Sequence, residues 1–268
     1  MAGLLIIGAA TAAQPLAVFK LESYRKTVAL HAAVNGHGGL FLLDTAGGIT
    51  LLSPSFAKAI GCTPWGRLSG FQMMGQRLDG PRCDGIDFQV DGQVLHAPVT
   101  LVLDPAPLLA PDAAPVAGSI ALDLFAGKTI TVDIPGRRLI IESPASLQQR
   151  IADAQPLPVL LSREVQGHAL AASLGVPTAK GMLWFELDTG NGGTILVSKP
   201  YATLFGLDPD ADGPQQANFP LAPRLHAQGN AFTPDMILDG NLGMPFLRDK
   251  VITLDLQTGR LWIAGGQQ

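Results

Sequence analysis

GLFLLDTAGGITLLSPSFAKAIG (Gly39 to Gly61) and MLWFELDTGNGGTILVSKPYATLFG (Met182 to Gly206) are two versions of one pattern. Each runs an apolar strand into Leu-Asp-Thr, then a glycine-rich turn and a second apolar strand. Each then has Ser, Pro, an aromatic residue and Ala, and closes a short helical stretch at Gly. The context downstream repeats too. KTITVDIPGRRLII (Lys128 to Ile141) matches KVITLDLQTGRLWI (Lys250 to Ile263), and apolar alternation around a Gly-Arg turn reads as a β-hairpin. A Gly-led apolar segment precedes each hairpin, GSIALDLF from Gly118 and GNLGMPFL from Gly240. Repeats of this kind decide the architecture before any single element does. The expected fold is all-β with short helices, arranged as two homologous lobes around a central cleft.

The copies are unequal. Asp44 and Asp133 are 89 residues apart and Asp188 and Asp255 are 67 apart, so the first copy carries 22 more residues. The surplus falls between Trp65 and Pro111, where RLSGFQMMGQRLDG and IDFQVDGQVLHAPVTLVLD read as strands joined by Gly turns. Residues 15–143 are expected to form the N-terminal lobe, 144–156 a linker and 157–268 the C-terminal lobe. Residues 1–14 read either as a signal-peptide remnant, with an apolar core and small residues but no positive start, or as an N-terminal strand.

Composition supports this reading. The chain has 268 residues, 31 Gly and 21 Pro, punctuation suited to many short strands. Charged residues are 15% and hydrophobic residues 47%, which argues against disorder. Net charge is −4 with no Lys/Arg cluster, so a nucleic-acid partner is not expected. No apolar run reaches the ~20 residues that a spanning helix needs. Cys62 and Cys83 either pair, in an exported protein, or sit reduced as small buried residues.

An Asp at the end of an apolar strand, entering a Gly turn, reads alone as an Asx turn. Two such turns in homologous lobes place Asp44 and Asp188 together at a pseudo-twofold axis. Carboxylates in contact share a proton, so one can act as a general base and the other as an acid. Strand alternation puts Glu186 on the same face as Asp188, where it either raises the pair's pKa or reaches solvent or an Arg. The five His lack metal-ligand spacing, and no Gly-x-Ser-x-Gly, Walker or dinucleotide fingerprint appears. Ser53 and Ser198 read as helix N-caps, and Asp133 and Asp255 as hairpin turn residues.

These duplicated turns and Gly-led segments resemble the aspartic proteases. One copy resembles a retropepsin subunit, and two copies resemble a pepsin-like bilobal enzyme over residues 27 to 265. The resemblance implies the acid-protease type of fold and an aspartic endopeptidase in which a water activated by Asp44 and Asp188 cleaves peptide bonds. It also implies cross-lobe bonding by Thr45 and Thr189 and a flap drawn from the 65–100 region. Ala46, Gly47, Gly190 and Asn191 complete the two turns, and Trp65, Phe71, Met73 and Met74 either cover the cleft or pack under the hairpin. The implied partner is a peptide or protein substrate met by an exported monomer, with no cofactor or metal. Three departures motivate an alternative, a degenerate protease fold that binds peptides or proteins without cutting them. Ala46 stands where the family has Gly, Gly47 offers no hydroxyl where Asn191 offers an amide, and the flap stretch has no Tyr.

Overall fold

The computed structural model describes residues 13–152 and 154–265, so most of the stretch read as a signal remnant or first strand lies outside the described residues. Three sheets make the architecture. The eight-stranded sheet runs Glu22–Tyr24, Thr27–Val34, His37–Leu43, Gly118–Ile120, Leu51–Leu52, Gln93–Val102, Arg77–Val90 and Trp65–Phe71. The seven-stranded sheet runs Val159–Ser162, Ala171–Thr178, Gly181–Leu187, Gly240–Leu242, Ile195–Val197, Leu225–Phe232 and Gln215–Ala222. The molecule is an all-β protein with short helices, in two homologous lobes of the acid-protease type.

The duplication is visible in register. Phe41, Leu42 and Leu43 pair in parallel with Gly118, Ser119 and Ile120, just as Phe185, Glu186 and Leu187 pair with Gly240, Asn241 and Leu242. Each return strand then runs antiparallel to the Gly-led strand. Both leading glycines are required by close approach. A Cβ on Gly118 would meet the Leu51 carbonyl oxygen at 1.9 Å, and one on Gly240 would meet the Phe185 ring at 2.6 Å. The sequence recurrence of these glycines therefore has a steric cause.

A five-stranded sheet joins the halves: Ala17–Lys20, Arg138–Ile141, Thr129–Asp133, Lys250–Asp255 and Arg260–Gly265. The two matched hairpins lie side by side in it. Thr131 faces Thr253 across the central pair, with hydroxyl oxygens 2.9 Å apart. Asp133 and Asp255 are hairpin-turn residues as expected. Each accepts turn N–H groups and pairs with the Arg five residues on, Arg138 at 2.6 Å and Arg260 at 2.8 Å.

Pro144–Arg150, in the stretch expected as linker, is a helix capped by the Ser143 hydroxyl. Ser53 caps Pro54–Ala59 through the Phe56 N–H at 3.2 Å. Ser198 makes no such cap. Its hydroxyl donates to the Met236 carbonyl at 3.3 Å and so ties the loop before Gly240 to the 3₁₀ turn Lys199–Phe205.

Cys62 and Cys83 form a disulfide with Cα atoms 6.3 Å apart, which settles the two sequence readings in favour of pairing. It fastens the chain just past the first helix to the long strand Arg77–Val90. Closing a 21-residue loop restrains the unfolded chain by about 3 kcal/mol. Reduction, or Cys62→Ala with Cys83→Ala, is expected to lower the unfolding free energy by about that amount in a denaturant titration. An unchanged midpoint contradicts this role.

Candidate functional site

Each key Asp sits where a strand leaves its ladder. The Asp44 N–H donates to the Ile120 carbonyl at 2.9 Å and the Asp188 N–H to the Leu242 carbonyl at 3.1 Å, so both are delivered by the same backbone step. The next residues lock the lobes together. The Thr45 N–H donates to Thr189 Oγ1 and the Thr189 N–H to Thr45 Oγ1, both at 3.1 Å. The Thr189 hydroxyl donates to the Leu43 carbonyl at 2.6 Å, and the Thr45 hydroxyl to the Leu187 carbonyl. All four groups are buried, so each bond also removes a desolvation cost.

This interlock brings the carboxyl groups together at the floor of a cavity of about 470 Å³ between the lobes. A Cβ on Gly190 would lie 2.8 Å from Asp44 Cγ, so the Asp44 carboxyl rests against the turn that carries Asp188. The Asx-turn reading and the paired reading are both realised. Asp44 Oδ1 accepts the Ala46 N–H at 3.1 Å, and Asp188 Oδ1 accepts from Gly190 at 2.8 Å and Asn191 at 3.0 Å.

The turns differ as Ala46 and Asn191 foretell, though not by the expected contacts. Ala46 keeps an ordinary φ, and Gly48, at φ +70°, takes the left-handed position. Asn191 does not donate its amide to Asp188. It donates to Asn241 Oδ1 at 2.9 Å, and Asn241 donates to Asp188 Oδ2 at 2.8 Å. This two-amide relay serves only one carboxyl, since Gly47 has no side chain to begin its counterpart. Asn241 was missed in the sequence, although it follows the Gly of a segment singled out there and lies in register with Glu186.

Burial, and then repulsion from Asp188, push Asp44 up to about 7. Burial also raises Asp188, against which the Asn241 amide and the turn N–H groups favour its charge. The pair titrates as a unit, with side-chain donation from Asn241 reaching Asp188 alone. Glu186 lines the same cavity and is pushed up to about 8 by burial first, then by Asp188, Asp44 and Glu164. Glu186 therefore sits beside the pair with no Arg among the cavity-lining residues, and, after burial, it is the pair that raises Glu186 rather than the reverse. Among the described residues no group of three or more His, Cys, Asp or Glu is placed to hold a metal ion.

Phe71, Met73 and Met74 line the cavity, whereas Trp65 does not. Trp65 stands at the base of the hairpin and stacks on Arg82, 4.3 Å from the ring centre, which corrects its expected place over the cleft. The hairpin tip reaches the other lobe, where the Ile237 N–H donates to the Met73 carbonyl at 3.0 Å. Nearer its base, Val165 Cγ2 would lie 3.4 Å from a Cβ on Gly70. Val165 itself is held at φ +48°, a strained angle for a β-branched residue.

No protein-family model and no curated protein matches the chain. Solved structures do match. They include basic 7S globulin from soybean (9% identity, 93% of this chain and 95% of that one, TM-score 0.58). Conglutin gamma, a basic 7S globulin from lupine seeds, matches at 12% identity over 95% and 96% of the two chains, TM-score 0.58. A protein described as edgp matches at 11% identity over 96% of each chain, TM-score 0.59. At such identities the likeness is one of fold. Two expectations are corrected by these findings. The chain is not assigned to the pepsin-like or retropepsin-like family, and it is not assigned as an aspartic peptidase, because no family model supports either and two of these similar structures are described as globulins. Among the described residues no helix is long and apolar enough to cross a membrane.

A carboxyl whose folded pKa is raised stabilises the fold below its unfolded value and loses that contribution as pH rises through the folded value. For Glu186 the window runs from 4.5 to about 8, and for Asp44 from 3.8 to about 7. Stability is therefore expected to fall from pH 5 to pH 8.5. Glu186→Gln is expected to recover roughly 2 kcal/mol at pH 8.5, reduced from ~1.4 kcal/mol per pH unit because the carboxyl opens onto the cavity, and to change little at pH 4.5. Denaturant titrations at the two pH values check this, and equal effects at both contradict it.

Proposed function

We propose that the chain is a peptide- or protein-binding module in which the cleft holds an extended polypeptide and the Asp pair hydrogen-bonds its backbone without hydrolysis. The observation that carries this reading is the mostly apolar cavity between the lobes with the Asp44 and Asp188 carboxyls together at its floor. A protonated Asp44 is a donor suited to a peptide carbonyl. Ser69, Gly70 and Phe71 line the cavity and belong to Trp65–Phe71, the terminal strand of its sheet, where an extended chain can add by backbone pairing. Apolar side chains around them offer pockets for alternate residues of that chain.

Binding rather than turnover is supported by the inequality of the turns. Asp188 receives two turn amides and the Asn191–Asn241 relay, whereas Asp44 has no such relay and has the Ala46 methyl beside it on the cavity wall. The neighbours' description as globulins points the same way. The lobes in this reading are 15–143 and 157–268, joined by 144–156. The protein acts as a monomer, and its disulfide suits an exported protein in an oxidising compartment.

Labelled extended peptides followed by fluorescence anisotropy, with mass spectrometry of the same samples after a day, test the reading. Saturable binding of intact peptide is expected. Asp44→Ala should weaken it about tenfold, the value of one buried hydrogen bond of ~1.4 kcal/mol, and Asp44→Asn much less. Peptide fragments that depend on Asp44 would overturn the proposal.

A further inference from the structure

The two walls of the cavity are built from homologous positions but differ in chemistry. In the N-terminal lobe the residue two before the Asp is Leu42, paired with Ser119; in the C-terminal lobe it is Glu186, paired with Asn241. Both Leu42 and Glu186 line the cavity. The C-terminal wall adds Glu164 at the rim and the hydroxyl of Ser173, directly across the antiparallel ladder from Glu186. Ser173 is only 8% exposed and faces the cavity, and its hydroxyl has no hydrogen-bond partner among the described residues. Asn241 is fully buried and donates its amide to Asp188 Oδ2.

No Lys, Arg or His lines the cavity among the described residues, and Glu186 makes no ion pair there. A carboxyl set in a mostly apolar cavity without a counter-charge either keeps a proton or takes a cation from outside. The opposite wall, with Leu42, Ile49, Leu68 and Leu101, offers nothing to a charge but suits an alkyl stem. A long aliphatic chain ending in a cation fits this division, with its stem against the leucines and its head at Glu186 and Ser173.

We infer that the occupant presents a primary ammonium group, as on a lysine side chain, to Glu186 and Ser173 on the C-terminal wall. Glu186 supplies the counter-charge and one acceptor, Ser173 a second acceptor, and Glu164 draws the cation to the mouth. An acidic side chain at the same place meets four carboxyl groups and is rejected. The inference rests on the peptide-binding reading for the backbone of the ligand but not for its cationic head.

The test uses an apolar extended hexapeptide panel in which one position is Lys, norleucine or Glu, measured at pH 7 against the wild-type chain, Glu186→Gln and Ser173→Ala. A parallel arm measures thermal shifts with hexylammonium and with hexanol. The Lys peptide is expected to bind at least tenfold tighter than the norleucine peptide, with the Glu peptide weakest. Glu186→Gln should remove most of that preference while leaving norleucine binding within twofold. Ser173→Ala should reduce the preference in part. Equal binding of Lys and norleucine peptides, or a preference that survives Glu186→Gln, overturns the inference and leaves the peptide-binding reading standing. If no peptide binds but hexylammonium alone raises the melting temperature through Glu186, the cation site stands and the peptide reading fails. If neither arm responds, both fail.

Discussion

Everything at the centre of this molecule depends on the reciprocal hydrogen bonds between Thr45 and Thr189. Each threonine receives the other's backbone N–H on its hydroxyl oxygen and hands its own proton to the strand beneath the partner. Four buried polar groups are satisfied only when both lobes are present and in register. The residues immediately before them, Asp44 and Asp188, have no freedom to separate. Their proximity is a consequence of the interlock; burial raises both carboxyls, and repulsion from Asp188 adds to the rise at Asp44.

The shared five-stranded sheet performs the matching task on the far side of the lobes. Thr131 and Thr253 meet there across a central antiparallel pair, and the Thr131 hydroxyl also reaches Glu142, which pairs with Arg150 of the following helix. The lobes are thus joined at two levels, one polar and small, one a continuous sheet. Above the carboxyl pair, the hairpin that carries Met73 spans the cavity and bonds to Ile237 of the other lobe. A partly enclosed, low-dielectric cavity is what makes Asp44, Asp188 and Glu186 expensive to ionise together, and so what makes the charge of an occupant matter.

The duplication made most of the fold legible, because strand-Asp-Thr-turn units and matched hairpins are local patterns with a shared geometry. The surplus between Trp65 and Pro111 likewise marked the hairpins that distinguish the first lobe. What sequence reading missed was set by distant pairing. Asn241 matters because it lies beside Glu186 in a parallel register, and the latch between Met73 and Ile237 uses backbone groups that any residues possess. Trp65 was misplaced since its neighbour Arg82 comes from the partner strand of the hairpin. Resemblance of the turns carried a family and an activity with it. The turns describe a fold, and the fold matches globulins as well, so neither the family nor the activity follows from it.

The interlock forces Asp44 and Asp188 into one coupled unit, and carboxyl-carbon NMR across pH reads that coupling directly. The Asp44 signal is predicted to titrate near 7 with the Asp188 signal responding to the same step, and Asp188→Asn is predicted to lower the Asp44 midpoint in part, burial holding it above 3.8. Independent titration of both residues near 3.8, unaffected by replacing either partner, would contradict the account.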